Sequence, residues 1–214
     1  MAYPHVKRIV IVDDHTIVRA GLRRILDDLP EWEVVAEAAT YDEALTAVRT
    51  IGCDVVILDI SLGHRNGLDL LKQLRHEFPR IPVLILSVHS EDDYALRCLR
   101  AGAAGYLSKD SAPEKVIEAI GRVTRGKRYM SDEVAEHLAA RAVDGAEALP
   151  HERLSDREHE VFRQLIRGRT VTEIANALKL SVKTVSTHRS HVLQKMRMRS
   201  TADLIRYGIE HKLG

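Results

Sequence analysis

The stretch VKRIVIVDD, residues 6–14, decides the fold, because an apolar and largely β-branched run ends there in two carboxylates. Three further runs repeat this pattern. DVVILD ends in Asp59, IPVLILS ends in Ser87, and AAGYLSK ends in Ser108 and Lys109. Near-continuous apolar strands are typical of parallel sheets buried on both faces, and the carboxyl ends of such strands share one edge, where ligands bind. We therefore expect three carboxylates, a hydroxyl and an ammonium group to converge at that edge.

Helical periodicity separates these strand-like runs. The segments that show it are residues 17–29, YDEALTAV, residues 67–74, DDYALRCLRAG and APEKVIEAIGRV, while WEVVAEA supplies a fifth strand. Parallel strands need crossover connections, which place helices on both faces of the sheet. The sequence therefore predicts an α/β doubly wound, five-stranded parallel sheet with a flavodoxin-like topology.

The composition changes after residue 126. The segment GKRYM interrupts the periodicity, and SDEVAEHLAARAV then predicts a short helix with Ser131 as its N-cap. The polar stretch VDGAEALPHER contains Gly145 and Pro150 and is typical of a linker. We expect three parts: a first domain over residues 1–126, a helix and interdomain linker over 127–150, and a second domain over 151–214.

The second domain is predicted to be small and all-α. Ser155–Glu158 and Ser200–Asp203 are capping boxes that open its first and last helices. Gly168 ends the first helix, and Ser181 caps the third one after a tight turn. A short helix, a turn and a longer helix in this order indicate a helix-turn-helix.

In a helix-turn-helix, the N-terminal part of the second helix enters the major groove of DNA. We expect Val182, Val185 and Val192 to face the domain core. Hydroxyl and ammonium groups on the opposite face can bond phosphates, and some can reach base edges. The alternative is a plain helical bundle with a charged, solvated face. The expected DNA-binding residues are Lys183, Thr184, Ser186, Thr187, Arg189, Ser190 and Lys195.

Charge and cysteine content limit the classes of protein. The 214 residues carry a formal net charge of +1, but residues 151–214 hold 13 Lys and Arg against 7 Asp and Glu. A basic terminal domain indicates a polyanionic partner. Cys53 and Cys98 lack metal-ligand spacing, which favours reduced core thiols in a cytoplasmic protein. No signal-peptide pattern and no apolar stretch of membrane-spanning length is found, so we expect no membrane association.

The predicted sheet edge suits phosphoryl transfer onto an aspartate. Carboxylates in one crevice require a cation, and oxygen ligands favour Mg²⁺. Asp13 and Asp14 suit the metal, which leaves Asp59 free to act as the nucleophile. Lys109 and Ser87 can then bind the oxygens of the transferring group.

Each of these residues also has a purely structural interpretation. Asp13 and Asp14 could cap a helix, Asp59 could be a turn residue, Ser87 could cap the following helix, and Lys109 could be a solvated charge. The placement of all of them at strand ends favours the chemical interpretation.

Several stretches resemble known families. IVIVDDH, VVILDISL, LILSVH and AGAAGYLSKD make residues 6–125 similar to a response-regulator receiver domain. LSDREHEVFRQLIRG and IANALKLSVKTVSTHRSHVLQKM make residues 152–212 resemble a LuxR-type helix-turn-helix. Together they resemble the NarL/FixJ class of two-component transcriptional regulators over nearly the whole chain.

The resemblance implies roles for individual residues. A histidine kinase is expected to phosphorylate Asp59, with Asp14 as the direct Mg²⁺ ligand and Asp13 supporting it. The backbone carbonyl of Ser61 is expected to join the metal shell, together with Asp59 itself.

By the same resemblance, Ser87 and Tyr106 form a switch pair whose rearrangement reports phosphorylation. The expected partners are the kinase, double-stranded promoter DNA and a second copy of the chain, with RNA polymerase as a further candidate. The family usually has Met-Pro-Gly after the acceptor, whereas this chain has Leu62-Gly63-His64, and many relatives carry lysine at Ser186.

The expected output is binding rather than enzymatic turnover. Two alternatives remain open at this point. One is a DNA-binding regulator that works without phosphorylation, and the other is a Mg²⁺-dependent phosphohydrolase that uses Asp59.

Overall fold

The computed structural model describes residues 6–62, 66–87, 92–132, 134–136, 149–211 and 213. The chain divides into two compact units, Met1–Ala142 and Val143–Gly214. The unusual residues Gly63 and His64, and most of the expected linker, lie outside the described residues. No helix in the described part of the chain is long and apolar enough to span a membrane.

The first unit alternates strands and helices as predicted. The strands are β1 (Lys7–Val12), β2 (Trp32–Ala38), β3 (Val55–Asp59), β4 (Val83–Ser87) and β5 (Gly105–Ser108). The helices are α1 (Thr16–Asp27), α2 (Tyr41–Ile51), α3 (Gly67–Glu77), α4 (Asp92–Arg100) and α5 (Pro113–Val123). All strand pairs are parallel, and the strand order is β2-β1-β3-β4-β5. The predicted doubly wound, flavodoxin-like sheet is confirmed.

The sheet is buried on both faces because successive strand residues point to opposite sides. Val10 and Val12 of β1 belong to the apolar cluster that contains side chains of α2, α3 and α4. Ile9 and Ile11 belong to the cluster that contains side chains of α1 and α5. Every residue of β3 is buried, which explains why this strand reads as a continuous apolar run.

The chain remains attached to this unit beyond α5. Tyr106 N donates to Tyr129 O and Tyr129 N donates to Ala104 O, both at 3.0 Å, so Tyr129 pairs with β5. Ser131 Oγ accepts from Val134 N at 3.3 Å, which is the predicted N-cap contact. Val134 is only 4% exposed and packs in the cluster that also holds Tyr106. The start of the segment predicted as helix and linker is therefore part of the first unit's packing.

The second unit is helical, as predicted. A 3₁₀ turn at Pro150–Arg153 precedes α6 (Asp156–Ile166), α7 (Val171–Leu178), α8 (Val182–Lys195) and α9 (Thr201–Glu210). These helices surround one apolar core, whose fully buried members include Phe162, Ile174, Val185, Val192 and Leu204. The turn between α7 and α8 has Lys179 in the left-handed region, at φ 50° and ψ 44°. This turn and the two helices around it form the predicted helix-turn-helix.

The helix ends follow the predicted capping residues. Both predicted capping boxes, at Ser155 and Ser200, are present, and Ser181 Oγ accepts from Thr184 N. A further capping box at Thr170, which opens α7, was not predicted. Gly168 has φ +78° just after α6, in agreement with its predicted role at that helix end.

The expected core position of Val182 is wrong. Val185 and Val192 are fully buried, but Val182 is 49% exposed. Val182 is the first residue of α8, one turn before Val185, so the core contact ends before the helix does. In α9, Leu204 is buried whereas Ile209 is 74% exposed.

Candidate functional site

Adjacent strands bring the predicted carboxylates together. Asp13 follows β1 directly, and Asp59 is the last residue of β3, the neighbour of β1 at the point where the strand order reverses. Both are 1% exposed, whereas the Asp14 side chain is 33% exposed. One ligand atom from each of Asp13, Asp14, His15 and Asp59 lies within 4.8 Å of the others. We call Asp13, Asp14 and Asp59 the acidic cluster.

Lys109 joins two members of the acidic cluster. Its Nζ lies 2.6 Å from Asp13 Oδ2 and 2.7 Å from Asp59 Oδ2, and its side chain is only 7% exposed. Its backbone N donates to Ser87 O at 2.7 Å, which holds the end of β5 against the end of β4. Lys109 is therefore a buried counter-charge, and its interpretation as a solvated surface charge is wrong.

Burial and ion pairing act in opposite directions on this site. Burial raises the pKa of Asp59, and the hydrogen bonds from Lys109 and Ser61 offset only part of that rise. Burial alone would lower the pKa of Lys109, but its hydrogen bonds to Asp13 and Asp59 outweigh this effect and the pKa is raised. Lys109 therefore stays an ammonium group at neutral pH and partly neutralises the acidic cluster.

His15 was missed by the sequence reasoning, although its position directly after the two aspartates was a signal. Its Nδ1 lies 2.8 Å from Asp14 Oδ1 and 3.1 Å from Asp13 Oδ1. His15 is also the N-cap residue of α1, so neither aspartate occupies the N-cap position itself. The helix-cap interpretation of the aspartate pair is therefore wrong.

Asp59 is held from both sides. Its Oδ1 accepts a hydrogen bond from Ser61 N at 2.9 Å, while its Oδ2 faces Lys109. Gly67, at the start of α3, lies against the same loop: a Cβ there would meet Ile60 O at 2.6 Å and Asp59 O at 2.7 Å. Sequence reasoning placed Gly67 on a helix but did not predict this close approach to the acceptor strand.

The predicted switch residues lie on neighbouring strands. Ser87 is the last residue of β4, is fully buried and is in register with Ser108 of β5. Because α4 begins at Asp92, Ser87 is too far from it to be its N-cap, and that interpretation is wrong. Tyr106 is 3% exposed and in register with Ile85. Their role as a switch pair stays a prediction.

The outer face of α8 carries the predicted polar side chains. Thr187 Oγ1 donates to Lys183 O and Ser190 Oγ donates to Ser186 O, each at 3.0 Å. Because their hydroxyl hydrogens are bonded within the helix, these side chains present acceptor lone pairs to a ligand. Six of the predicted DNA-binding residues are exposed: Lys183, Thr184, Ser186, Thr187, Ser190 and, at the end of α8, Lys195.

Two of the predicted DNA-binding residues are engaged within the domain. Arg189 Nε donates to Thr201 Oγ1 at 2.9 Å, which ties α8 to α9. Lys195 Nζ lies 2.6 Å from Glu158 Oε2, which ties α8 to α6. These contacts anchor the helix, so Arg189 and Lys195 have structural partners before any nucleic acid is bound.

Both units are similar to families of known proteins. Residues 9–121 match the family described as "Response regulator receiver domain", and residues 152–208 match "Bacterial regulatory proteins, luxR family". The chain is 35% identical to the response regulator UvrY of Escherichia coli (strain K12) over 206 residues, which cover 96% of this chain and 94% of UvrY. The chain belongs to the NarL/FixJ class of response regulators. The resemblance noted in the sequence is thereby confirmed.

Solved structures of similar proteins agree with the assignment of this chain to the response regulators. One is RcsB from Salmonella enterica serovar Typhimurium bound to promoter rprA in the presence of the phosphomimetic BeF3-. It is 25% identical, with a TM-score of 0.66 and coverage of 94% of this chain and 97% of RcsB. A structure of two RcsB dimers bound to two parallel DNAs is 26% identical, with a TM-score of 0.58 and coverage of 94% and 96%.

The acidic cluster of this response regulator fits a hard divalent cation. Its carboxylate oxygens are the donors that Mg²⁺ prefers, and one oxygen from each residue lies close enough to share an ion. Lys109 pairs with Asp13 and Asp59 through Oδ2 of each. A second cation would therefore complete the neutralisation of three neighbouring carboxylates.

Proposed function

We propose that a histidine kinase phosphorylates Asp59 of this response regulator with the help of Mg²⁺. Phosphorylation then controls dimerisation and sequence-specific binding to promoter DNA in the cytoplasm, and so regulates transcription. The observation that carries the proposal is a buried aspartate that pairs with a buried lysine and lies beside two further carboxylates, in a chain that also contains a LuxR-type domain.

Asp59 is the expected nucleophile because both of its oxygens are already oriented. Ser61 N holds Oδ1 and Lys109 Nζ holds Oδ2. A carboxylate oxygen attacks the phosphorus atom, and the bond to the donor breaks as the new P–O bond forms. Lys109 can then move its hydrogen bond from the carboxylate to a phosphoryl oxygen, which offsets the added negative charge.

Asp13, Asp14, Asp59 and the carbonyl of Ser61 would hold Mg²⁺. When bound, Mg²⁺ supplies positive charge to the carboxylates and to the phosphoryl oxygens. Ser87 ends the strand next to that of Asp59, so it lies at the sheet edge where a phosphoryl oxygen would be bound. Movement of Ser87 towards that oxygen would give buried Tyr106, on the next strand, room to change its packing.

The output is expected to be two protomers on two half-sites of a promoter. RcsB, which is similar in fold over most of the chain, has been captured on a promoter and as dimers on DNA. The polar face of α8 is the expected reading surface, since the N-terminal part of such a helix enters the major groove. RNA polymerase is then a candidate contact of the DNA-bound dimer.

One experiment tests the phosphorylation step. The full-length protein is incubated with radiolabelled acetyl phosphate, with and without Mg²⁺, and promoter fragments are then footprinted. We expect Mg²⁺-dependent labelling and stronger DNA protection. Asp59→Asn keeps the size of the side chain but removes the nucleophile, so it should abolish both effects. Asp69→Asn, at an exposed aspartate of α3, is the matched control and should label normally.

The same experiment separates the alternatives. Equal DNA protection by the phosphorylated protein, the unphosphorylated protein and the Asp59→Asn variant would support a regulator that works without phosphorylation. Continuous release of phosphate from a small phosphomonoester, lost in Asp59→Asn, would support a phosphohydrolase. Full labelling of the Asp59→Asn protein would remove Asp59 as the acceptor.

A further inference from the structure

The N-terminus of α8 differs in charge from those of the other helices in its unit. The first turn of α6 contains Asp156 and Glu158, that of α7 contains Glu173, and that of α9 contains Asp203. The first turn of α8 contains no acidic residue. A carboxylate would stabilise the positive end of the helix dipole but would repel a polyanion. The absence of acidic residues from the first turn of α8 therefore favours the approach of this helix end to DNA.

The first turn of α8 is rigidly held. Ser181 Oγ accepts from Thr184 N at 3.0 Å and lies 2.7 Å from Thr184 Oγ1. Val182 follows this cap directly, and as a β-branched residue in a helix it has one strongly preferred rotamer. Its side chain is therefore an apolar group with a fixed direction and little conformational freedom to lose on binding.

Val182 is also accessible. It is 49% exposed, whereas Val185, one turn later, is fully buried. Its neighbours on the outer side of the helix are exposed Lys183 and, one turn later, exposed Ser186. An apolar side chain thus lies among the groups expected to bond phosphates and base edges.

We infer that Val182 contacts the C5 methyl group of a thymine and contributes to the choice of DNA sequence. The inference rests on the proposed binding of promoter DNA by α8. In the major groove, the thymine methyl is the apolar feature that distinguishes one base pair from another, and aliphatic side chains recognise it by contact. The hydroxyls of Thr187 and Ser190 present acceptors, so Val182 supplies a kind of recognition that they lack.

The test truncates each side of the contact in turn, the C5 methyl group of thymine and the two Cγ methyl groups of Val182. DNA duplexes are first selected from a random pool by the full-length, BeF3-treated protein. Each thymine is then replaced in turn by deoxyuridine, which lacks only the C5 methyl group, and affinities are measured by fluorescence anisotropy. For the unsubstituted protein we expect one thymine per half-site whose replacement weakens binding about fourfold, the value of one buried methyl-sized group.

Val182→Ala removes the contact in both protomers, so it should weaken binding to the thymine duplex by a similar factor at each half-site and show no further loss with deoxyuridine at that position. Val6→Ala is the matched control, because Val6 is 41% exposed and lies in the first unit, and it should keep the full thymine dependence. Circular dichroism melting should show that Val182→Ala is folded, as expected for a half-exposed side chain.

Two outcomes would overturn the inference while leaving the proposed function intact. One is sequence-specific binding in which no thymine is sensitive to loss of its methyl group. The other is a sensitive thymine whose effect is the same in the Val182→Ala protein, which would assign the contact to another residue. Failure of the full-length protein to select any sequence, with or without BeF3-, would instead overturn promoter binding and the inference together.

Discussion

At the scale of single residues, the charge balance of the sheet edge depends on Lys109. Its ammonium group is buried between Asp13 and Asp59, so its removal leaves two carboxylates without their shared counter-charge. Breaking such a buried pair typically costs about 3–5 kcal/mol. We predict that Lys109→Ala lowers the free energy of unfolding by this order in metal-free buffer, measured by urea titration with circular dichroism.

Added Mg²⁺ should restore part of that loss, since the ion supplies the missing positive charge at the same carboxylates. Lys115→Ala is a suitable control, because Lys115 is exposed on α5 and should change stability little. The contribution of Lys109 to stability also depends on pH, and the direction follows from its pKa. Because the pKa of Lys109 is raised on folding, its contribution is fully present below about pH 10.5, the unperturbed value, and is lost as the pH rises through the folded value. Equal stability of both variants in metal-free buffer would contradict the role of Lys109.

The sequence predicted the site residues at strand ends and missed those positioned by packing. Asp59 and Lys109 were predictable because the edge of a parallel sheet brings distant strand ends together. The close approach of Gly67 to Ile60 depends on how α3 packs on the sheet, which no local pattern encodes. Lys195 pairs with Glu158, which lies 37 residues away in the sequence. The sequence therefore could not show whether the ammonium group of Lys195 pairs with a carboxylate of the protein or with a phosphate of DNA.

At the scale of secondary-structure elements, the ion pair between Glu158 and Lys195 holds α8 against α6. Burial raises the pKa of Glu158, but the hydrogen bonds from Lys195 and Ser155 outweigh it, so the pKa is lowered. A carboxyl group with a lowered pKa stabilises the fold above its unfolded value of 4.5 and loses this effect as the pH falls through its folded value. We predict that the isolated second unit loses stability below about pH 4.5, and that Glu158→Gln loses less over that interval.

Lys195→Ala should cost on the order of 1 kcal/mol, because a partly exposed partner gains less than a buried one. Arg206→Ala removes an exposed partner of Asp203 and serves as the control, with almost no expected change. Thermal melting at pH 7 and pH 4 measures both effects. An identical pH profile for wild type and Glu158→Gln would show that another group titrates.

The attachment of Tyr129 to β5 requires a glycine at position 105. A Cβ on Gly105 would lie 2.8 Å from Tyr129 O and 2.9 Å from Leu84 Cδ1, both closer than real contacts allow. Overpacking of this kind costs about 1–3 kcal/mol. We predict that Gly105→Ala destabilises the first unit by this amount in urea titration.

The control is another glycine of the same unit. Gly121 lies within α5, and a Cβ there would meet only Trp32 at 3.9 Å, an ordinary contact. Gly121→Ala should therefore stabilise the unit by roughly 0.5–1 kcal/mol through helix propensity. Equal effects of the two substitutions would show that the pairing of Tyr129 with β5 adds nothing to stability.

The positions of the helices were more predictable than the burial of the residues at their ends. The capping boxes at Ser155 and Ser200 marked their helices from sequence, because cap and partner lie three residues apart. The exposure of Val182 was not visible, since the helical period assigns Val182 and Val185 to similar sides of α8. The helical period of α8 does not show how far the neighbouring helices extend along it. That extent decides which of the two valines is buried.

At the scale of the whole molecule, the expected active species is a dimer on two half-sites of DNA. Its affinity should fall steeply with salt, because each neutralised phosphate contributes about −0.9 to the slope of log K against log salt concentration. Lys183 is exposed in the first turn of α8 and is free to meet a phosphate. We predict that Lys183→Ala weakens binding to all sequences alike and flattens the slope by about 0.9 for each half-site.

Lys195→Ala is the comparison for Lys183→Ala, although both lysines were expected from the sequence to bind DNA. The ammonium group of Lys195 is already paired with Glu158. Lys195→Ala should therefore change the salt slope much less than Lys183→Ala does. The measurement is a salt titration of the full-length, BeF3-treated protein on one promoter duplex, read by fluorescence anisotropy. Equal flattening by both variants would show that Lys195 exchanges its carboxylate for a phosphate on DNA, and the ion pair between α6 and α8 would then open when the dimer binds.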